Sequence, residues 1–274
     1  MAYRFRKKDK SLGHAARRMA RDQVDKAIAA VDEADPATEA VREVRERCRR
    51  IIGIVGLLEP LYGSAQKEIR AFGKMRDELA AASNVLALAD IRNSIDTELA
   101  GKVRSFTSPD NNLDREDTEA QLARIRRRLV KSRKRIEGWK ISDKPVAKIW
   151  DVVLEQRHWI SEEFPNLCQG LKGDDLHKFR KRVRAHWHHL RMFRAIGSNE
   201  VPVQERSAKQ LVELLGRLRD IEQLELRLVQ SPGGADKSKK AQAVMAFCKR
   251  EKTVLRGKTT RLAKTVLEHR YMPF

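Results

Sequence analysis

The sequence predicts an all-α fold whose second half repeats its first. Alternating strand patterns are essentially absent, and apolar residues recur at helical spacing along nearly the whole chain. Eight helical segments can be separated at caps, prolines and glycine-rich breaks, which suggests a division into four and four. A helix-long pattern of apolar and basic residues also occurs twice, so an internal duplication is the better explanation of this count.

Four helices are predicted in the first half, after a short basic tail at residues 1–11. Asp35 followed by Pro36 is an N-cap with proline at the first helical position, so the pair opens the second helix. Ser64 caps the third helix, and a polar stretch at 105–117 separates it from the fourth. The predicted helices run from about Leu12 to Val31, from Pro36 onward, from Ser64 to Val103 and from Thr118 to Trp139.

Four more helices are predicted in the second half, again from caps and breakers. Asp174 caps the sixth helix, Pro202 marks the start of the seventh, and the sequence SPGG at 231–234 is a break before the eighth. A proline should also stop the fifth helix. The predicted helices run from Ser142–Asp143 to Phe164–Pro165, from Asp174 through Phe193, from Pro202 to Gln230, and from the break to about Arg270.

The sixth predicted helix is the most informative segment, reading LHKFRKRVRAHWHHLRMF. Its apolar residues recur at i, i+3, i+7, i+11 and i+14, which is one face of a helix: Leu176, Phe179, Val183, Trp187 and Leu190. The adjacent positions form a basic stripe of His177, Arg180, Arg184, His188 and Arg191. No Asp or Glu lies between Asp175 and Glu200 to neutralise this stripe. Its neighbouring cations therefore repel each other, by roughly a few tenths of a kcal/mol per pair. A helix that keeps this stripe is expected to face a polyanion.

The second predicted helix has the same two stripes in the same phase. Subtracting 135 from each apolar position of the sixth helix gives Val41, Val44, Cys48, Ile52 and Val55. The same subtraction places His177, Arg180 and Arg184 on Arg42, Arg45 and Arg49. A second echo follows in the third and seventh helices, where GKMRD at 73–77 and GRLRD at 216–220 share the pattern G-[KR]-x-R-D. Two echoes in the same order support the duplication.

The charge of the chain limits its partners. The formal net charge is +20, so the natural partners are anionic: nucleic acid, an acidic surface or a phosphate polymer. Cys48, Cys168 and Cys248 are odd in number and lack CxxC spacing, which indicates reduced thiols in a cytoplasmic protein. No apolar run approaches the length of a membrane span, and the N-terminus lacks the apolar centre of a signal peptide.

These residues resemble the CHAD family, an α-helical domain named for its histidines. In that family the second and sixth helices have a pattern like H-x-x-R-[KV]-x-x-[KR], and the third and seventh have an Arg-Asp pair after a glycine. The second half matches this pattern with His177, Arg180, Lys181 and Arg184. The first half departs from it, because an arginine replaces the histidine at position 42 and a glutamate replaces the Lys or Val at position 46. The resemblance covers about residues 14–274.

The resemblance implies a CHAD-like helical domain at 12–274 made of two four-helix bundles related by a pseudo-twofold axis. The first bundle would span about 12–139 and the second about 143–270. A basic cleft between or across the bundles would bind inorganic polyphosphate, and association with polyphosphate granules in the cytoplasm would follow. Arginine suits such a site because it donates two hydrogen bonds to phosphate oxygens, and lysine acts as a compact point charge.

The candidate polyphosphate-binding residues lie first on the second and sixth helices: Arg42, Arg45, Arg49, His177, Arg180, Lys181, Arg184 and Arg191. Further candidates share single faces of the first, fourth and eighth helices: His14, Arg17 and Arg21; Arg124, Arg128, Lys131 and Arg135; Lys249, Lys252 and Arg256. The alternative is a solvated basic face without a specific ligand, which is a stronger alternative for the fourth and eighth helices. The pairs Arg76–Asp77 and Arg219–Asp220 are expected to be structural, as buried ion pairs or as groups that orient the cations.

Binding without catalysis is expected. No P-loop, glycine-rich dinucleotide turn, HExxH motif or nucleophile–base constellation is present, and a phosphoryl-transfer enzyme would need an acidic metal-binding cluster that the basic helices lack. No metal or cofactor is expected, because His186, His188 and His189 have no carboxylate or thiol at ligand spacing.

The alternative function is RNA or DNA binding by the same basic helices. Aromatic residues make up only 5% of the chain, which leaves few for stacking on single strands. A peripheral membrane protein would need a bulky apolar face left exposed, and here those faces are predicted to form the core.

Overall fold

The structure is a computed structural model that describes residues 3–33, 37–86, 115–142, 147–171, 173–230 and 239–268. Within these ranges it contains no strand, and its long helices number eight. They are α1 (Leu12–Glu33), α2 (Ala37–Leu57), α3 (Ala65–Glu78), α4 (Arg115–Glu137), α5 (Ala147–Gln169), α6 (Gly173–Phe193), α7 (Val201–Gln230) and α8 (Lys239–Glu268). The predicted all-α fold class is confirmed.

Each helix buries the apolar stripe that the sequence places along one face. The predicted core positions of α6 are all buried, and those of α2 are buried except Ile52, which is partly exposed. In the first half α1 packs on α2 and α4, and α2 packs on α3. In the second half α5 packs on α6 and α8, while α7 packs on the same two helices. The halves meet where α2 contacts α5 and α6. No helix of the described ranges combines the length and apolar character needed to cross a bilayer.

A glycine allows α2 and α6 to approach each other closely. A Cβ atom added at Gly53 would lie 3.1 Å from Oη of Tyr3 and 3.2 Å from Cβ of His188. The ring of His189 also forms a hydrogen bond with the backbone of Gly53. Any larger residue at position 53 would therefore separate the two helices that have the basic stripes.

The described part of the N-terminal segment is packed against the helices. Tyr3 and Phe5 are buried, with 5% and 3% of their surface exposed. The Phe5 amide donates to the carbonyl of Met192 over 2.8 Å, and the Tyr3 hydroxyl donates to the carbonyl of Arg50 over 2.9 Å. The segment predicted as a basic tail therefore contributes two aromatic rings to the core, at the place where α2 and α6 meet.

Two predicted helix ends differ from the structure. The fifth helix was expected to stop near Phe164 and Pro165, but α5 continues through Pro165 to Gln169. Burial of Leu167 explains the continuation, since this last turn adds an apolar side chain to the core, and Gly170 then ends it with φ of +94°. The third helix ends at Glu78 with a break at Leu79, residues 80–86 are helical again, and the predicted extension over 87–103 lies outside the described residues.

Candidate functional site

The basic stripes of α2 and α6 lie close together where the two halves meet. Burial lowers the pKa of Arg184 well below its usual 12.5, and the charges of Arg180 and Arg49 lower it further. Burial also lowers the pKa of Arg180 to about 10, and Arg49 of the other half adds to this effect. Arginines from both halves therefore share one partly desolvated environment.

Few carboxylates offset this arginine cluster, which we define as Arg45, Arg49, Arg180 and Arg184. Glu46 lies 3.7 Å from Arg49, measured from Oε2 to Nη1, and it also pairs with Arg50. Within the described residues, the Nε atoms of Arg45 and Arg180 are buried without a hydrogen-bond partner. A buried donor without a partner costs roughly 1–3 kcal/mol, so the cluster is held together at a cost in stability.

The Arg-Asp pair of α3 lies near cations of both halves. Nη1 of Arg45 donates to the carbonyl of Arg76 over 2.7 Å. The Arg76 guanidinium in turn donates to both carboxylate oxygens of Asp77, each over 2.8 Å, and these bonds hold the pKa of Asp77 below its usual 3.8. The charge of Lys181 on α6 lowers the same pKa slightly. Because 61% of the Asp77 side chain is exposed, the pair is not a buried ion pair.

The second half positions Arg180 by a different means. A Cβ atom on Gly216 of α7 would lie only 2.9 Å from Nη2 of Arg180, so the glycine makes room for the guanidinium. Burial lowers the pKa of Arg180. The charge of Asp220 raises it, and that of Arg219 lowers it. A Cβ atom on Gly73, the counterpart in α3, would meet no atom within 4 Å. The shared glycine therefore accommodates an arginine in the second half alone.

A cleft of about 900 Å³ opens between the helices that join the halves. Four of the predicted binding and orienting residues line it, namely Arg49, Arg76, Lys181 and Arg184, whereas Arg45 and Arg180 do not. Sequence reasoning missed Lys178 and Arg182, which line the cleft from the adjacent face of α6. Both belong to the same basic segment of the sequence, so that segment as a whole, and not only its stripe, predicts the lining of the cleft. Trp159 of α5 also lines the cleft, and no local sequence signal marks it, because its position depends on how α5 packs.

His177 lies at the exposed start of the α6 stripe. Partial burial lowers its pKa below 6.5, and the charge of Arg219 lowers it further, followed by Arg180, Arg184 and Lys181. The imidazole is therefore mainly neutral near pH 7. In this state it can still donate one hydrogen bond to a phosphate oxygen.

The other three histidines of α6 belong to the core. Burial lowers the pKa of His186 to about 3, that of His189 to about 4, and that of His188 well below 6.5. His188 was expected on the basic stripe, but it is 2% exposed and stacks on Trp187 with ring centroids 4.6 Å apart. His188 is buried because α6 packs against Tyr3 and Gly53 at this position. The described residues include no group of three His, Cys, Asp or Glu that could hold a metal ion.

Arg191 lies away from the large cleft. It lines a smaller hollow of about 290 Å³ together with Tyr3, Arg50 and Arg194. Its guanidinium lies 6.0 Å from the ring centroid of Tyr3 and 5.8 Å from that of Trp187. Burial lowers the pKa of Arg191, and the charge of Arg50 lowers it further. The structure thus places this predicted residue beside a second basic surface.

Most cations predicted on α1, α4 and α8 have acidic or carbonyl partners within the protein. Arg135 donates from two nitrogens to the buried Glu68, and Arg128 pairs with Glu78. The remaining partnered candidates are Arg17 with the Trp139 carbonyl, Arg21 with Glu137, Lys252 with Glu225, Arg256 with Glu222, and His14 3.8 Å from Asp9. Arg42, Arg124, Lys131 and Lys249 are exposed. These helices therefore use much of their basic charge to join neighbouring helices.

Comparison with known proteins gives one family. The sequence model of the CHAD domain matches residues 15–229, a range that includes both basic stripes and both Arg-Asp pairs. No curated protein matches the chain significantly. Because the family match covers well over half of the 274 residues, the chain belongs to the CHAD domain family.

Proposed function

We propose that the arginine cluster and the adjoining cleft bind inorganic polyphosphate without catalysing its turnover. The observation that most supports this is the approach of Arg49 to Arg180 and Arg184 from opposite halves of the protein. Like charges brought together in a partly desolvated environment repel each other more strongly than they would in water. A protein that holds such charges together is stabilised when an anion lies among them.

The chemistry of the cluster fits a repeated phosphate better than a base-reading interface. A polyphosphate presents about one charge per unit and has no bases, so it needs closely spaced cations along a surface. Guanidinium groups supply directed hydrogen bonds to phosphate oxygens, and those of Arg49 and Arg184 line the cleft. Membership of the CHAD family, which is associated with polyphosphate binding, supports the same ligand.

We further propose that the halves are two four-helix bundles related by an approximate twofold axis. The contacts between helices support this arrangement, since those of α1 with α2, α2 with α3 and α1 with α4 correspond to those of α5 with α6, α6 with α7 and α5 with α8. The axis would pass near the contact of α2 with α6, and the basic cleft would lie beside it. Association with polyphosphate granules in the cytoplasm would follow from a site of this kind.

A competition assay tests the proposed ligand. The protein is saturated with labelled long-chain polyphosphate and then challenged with unlabelled polyphosphate, double-stranded DNA or RNA at matched charge and physiological salt. We expect polyphosphate to compete best and its affinity to fall steeply with salt, because binding releases condensed counterions. Equal or better competition by DNA or RNA would contradict the proposal, as would release of inorganic phosphate from polyphosphate by the pure protein.

A further inference from the structure

The lining of the large cleft includes apolar and acidic residues as well as basic ones. We infer that the cleft recognises a phosphate chain joined to an aromatic base, with a nucleoside triphosphate as the representative ligand. The inference rests on the proposed function for the phosphate part of the ligand and goes beyond it for the base. It comes from the residues that line the cleft away from the arginine cluster.

The wall formed by α2 and α3 changes from basic to neutral and acidic along its length. On α2 the lining residues are Arg49, Ile52, Gly53 and Gly56, and Glu59 follows in the turn after the helix. The eight residues from Arg49 to the end of α2 at Leu57 span roughly 12 Å at about 1.5 Å each, and Glu59 lies beyond that end. The short connection makes α3 antiparallel to α2, so Arg76 lies at the basic end and Gln66 at the other. One wall therefore offers cations for phosphates at one end and amide and carboxylate acceptors at the other.

The middle of the cleft is apolar. Ile52, Ile69 and Val152 line it, together with Gly56, where an added Cβ atom would meet nothing within 4 Å. A bare phosphate chain has no apolar surface to place against these groups, whereas the face of a heterocyclic base does. The open space over Gly56 leaves room for such a ring against the helix backbone.

An arginine and a tryptophan supply a stacking surface beside this apolar region. The Arg182 guanidinium lies 5.3 Å from the ring centroid of Trp159, and its Nη1 donates to Oε1 of Gln156 over 3.4 Å. All three residues line the cleft. Aromatic rings and arginine guanidinium planes are the groups on which proteins commonly stack nucleobases.

The two acidic residues of the lining favour binding of a base over binding of a phosphate. Glu59 and Glu155 both line the cleft, and their charges repel a bare polyanion. The same carboxylates can accept hydrogen bonds from the amino groups of adenine, guanine or cytosine. A ligand with phosphates at the arginine end and a base at the other end satisfies every part of this lining.

The test compares ATP with inorganic tripolyphosphate, which has the same number of phosphates and no base. Both are titrated without divalent cations against the wild type, Gly56→Leu and Gly257→Leu. Leucine at position 56 fills the apolar region while every cation is kept. Gly257 is the matched control, because it is an exposed helical glycine of α8 with no atom within 4 Å of an added Cβ.

We expect the wild type to bind ATP at least about tenfold more tightly than tripolyphosphate, since stacking of one base is worth about that much or more. Gly56→Leu should lose this preference and keep its affinity for tripolyphosphate within about twofold, whereas Gly257→Leu should match the wild type. Circular dichroism would verify that each variant is folded.

Two outcomes would overturn the inference while leaving the proposed function intact: tripolyphosphate binding without a preference for ATP, or an ATP preference that Gly56→Leu retains. Failure of the folded wild type to bind ATP, tripolyphosphate or long-chain polyphosphate would overturn the proposed function as well.

Discussion

The basic stripes of α2 and α6 begin from the same pattern but have different surroundings. On α6, Arg180 packs over Gly216 and Arg184 is the more deeply buried of the two, with Lys181 between them. On α2, a glutamate takes the place of that lysine, and Glu46 pairs with both Arg49 and Arg50. Glu46 therefore neutralises part of the positive charge of the first half. For this reason we expect the second half to contribute more of the binding free energy.

The two helices also differ in their buried faces. Subtracting 135 places His186, His188 and His189 of α6 on Ile51, Gly53 and Ile54 of α2. All three histidines are buried, and two of them hydrogen-bond to backbone, at Val153 and Gly53. Sensitivity to acid is therefore expected in the second half and not in the first.

The largest predicted effect is a loss of stability on acidification. Burial lowers the pKa of His186 to about 3 and that of His189 to about 4, whereas both titrate near 6.5 in the unfolded chain. A lowered histidine pKa stabilises the folded state above pH 6.5, and this contribution is lost as the pH falls towards the folded pKa. Each histidine should cost roughly 2 kcal/mol of unfolding free energy between pH 7 and 5.

Urea denaturation at pH 7, 6 and 5 would measure this loss. The variants His186→Ile and His189→Ile copy the residues of α2, and each should depend less steeply on pH than the wild type. An unfolding free energy that depends on pH equally in the wild type and both variants would refute the explanation.

The next largest effect is expected from the two equivalent glycines. Gly216→Ala should displace the Arg180 guanidinium and weaken polyphosphate binding by roughly tenfold, the equivalent of one charge-assisted hydrogen bond. Stability should change little, because the displaced atoms are the flexible end of a side chain. Gly73→Ala should leave binding unchanged and stabilise α3 by roughly 0.5–1 kcal/mol through helix propensity. Calorimetric titration and thermal unfolding of both variants would check this, and equal effects on binding would contradict it.

A smaller effect is expected from restoring the repeat at position 46. Glu46→Lys copies Lys181, removes the carboxylate beside Arg49 and should raise polyphosphate affinity by roughly threefold to tenfold. The dependence of log K on log salt should steepen by about one to two units. Glu43→Lys is the control, because it changes the charge equally at a residue that pairs with Arg47. An equal gain in the control would show that net charge, and not position, determines affinity.

Sequence periodicity was sufficient to predict most of the helices and the buried faces of α2 and α6, because 3.6-residue periodicity fixes which side chains share a face. It could not separate Arg135, which pairs with the buried Glu68 of another helix, from Arg49, which faces other cations. Both are arginines on basic faces, but packing against another helix gives Arg135 a buried carboxylate, whereas the carboxylate beside Arg49 comes from its own helix.

The same limit explains Tyr3, Trp159 and His188. The sequence places Tyr3 in a basic tail. In the structure its side chain fills the space that Gly53 leaves between α2 and α6, two helices that are far apart in the sequence. Trp159 and His188 occupy positions that depend on crossing angles, which local patterns do not encode. Pro165 is a strong local signal for the end of a helix, yet α5 continues through it because the next turn buries Leu167.

The most direct test of the central claim compares the two stripes in one titration series. The variants Arg180/Lys181/Arg184→Ala and Arg42/Arg45/Arg49→Ala each remove three cations, and Lys258/Arg261/Lys264→Ala removes three from the exposed face of α8 as a control. Long-chain polyphosphate is titrated into each at several salt concentrations, with circular dichroism to verify folding. We predict the greatest loss of affinity for the α6 variant, a smaller loss for the α2 variant and the smallest for the control. The salt slope should flatten by about one unit for each cation that no longer binds a phosphate. Equal losses in all three variants would contradict this account, because the stripes would then be ordinary solvated faces.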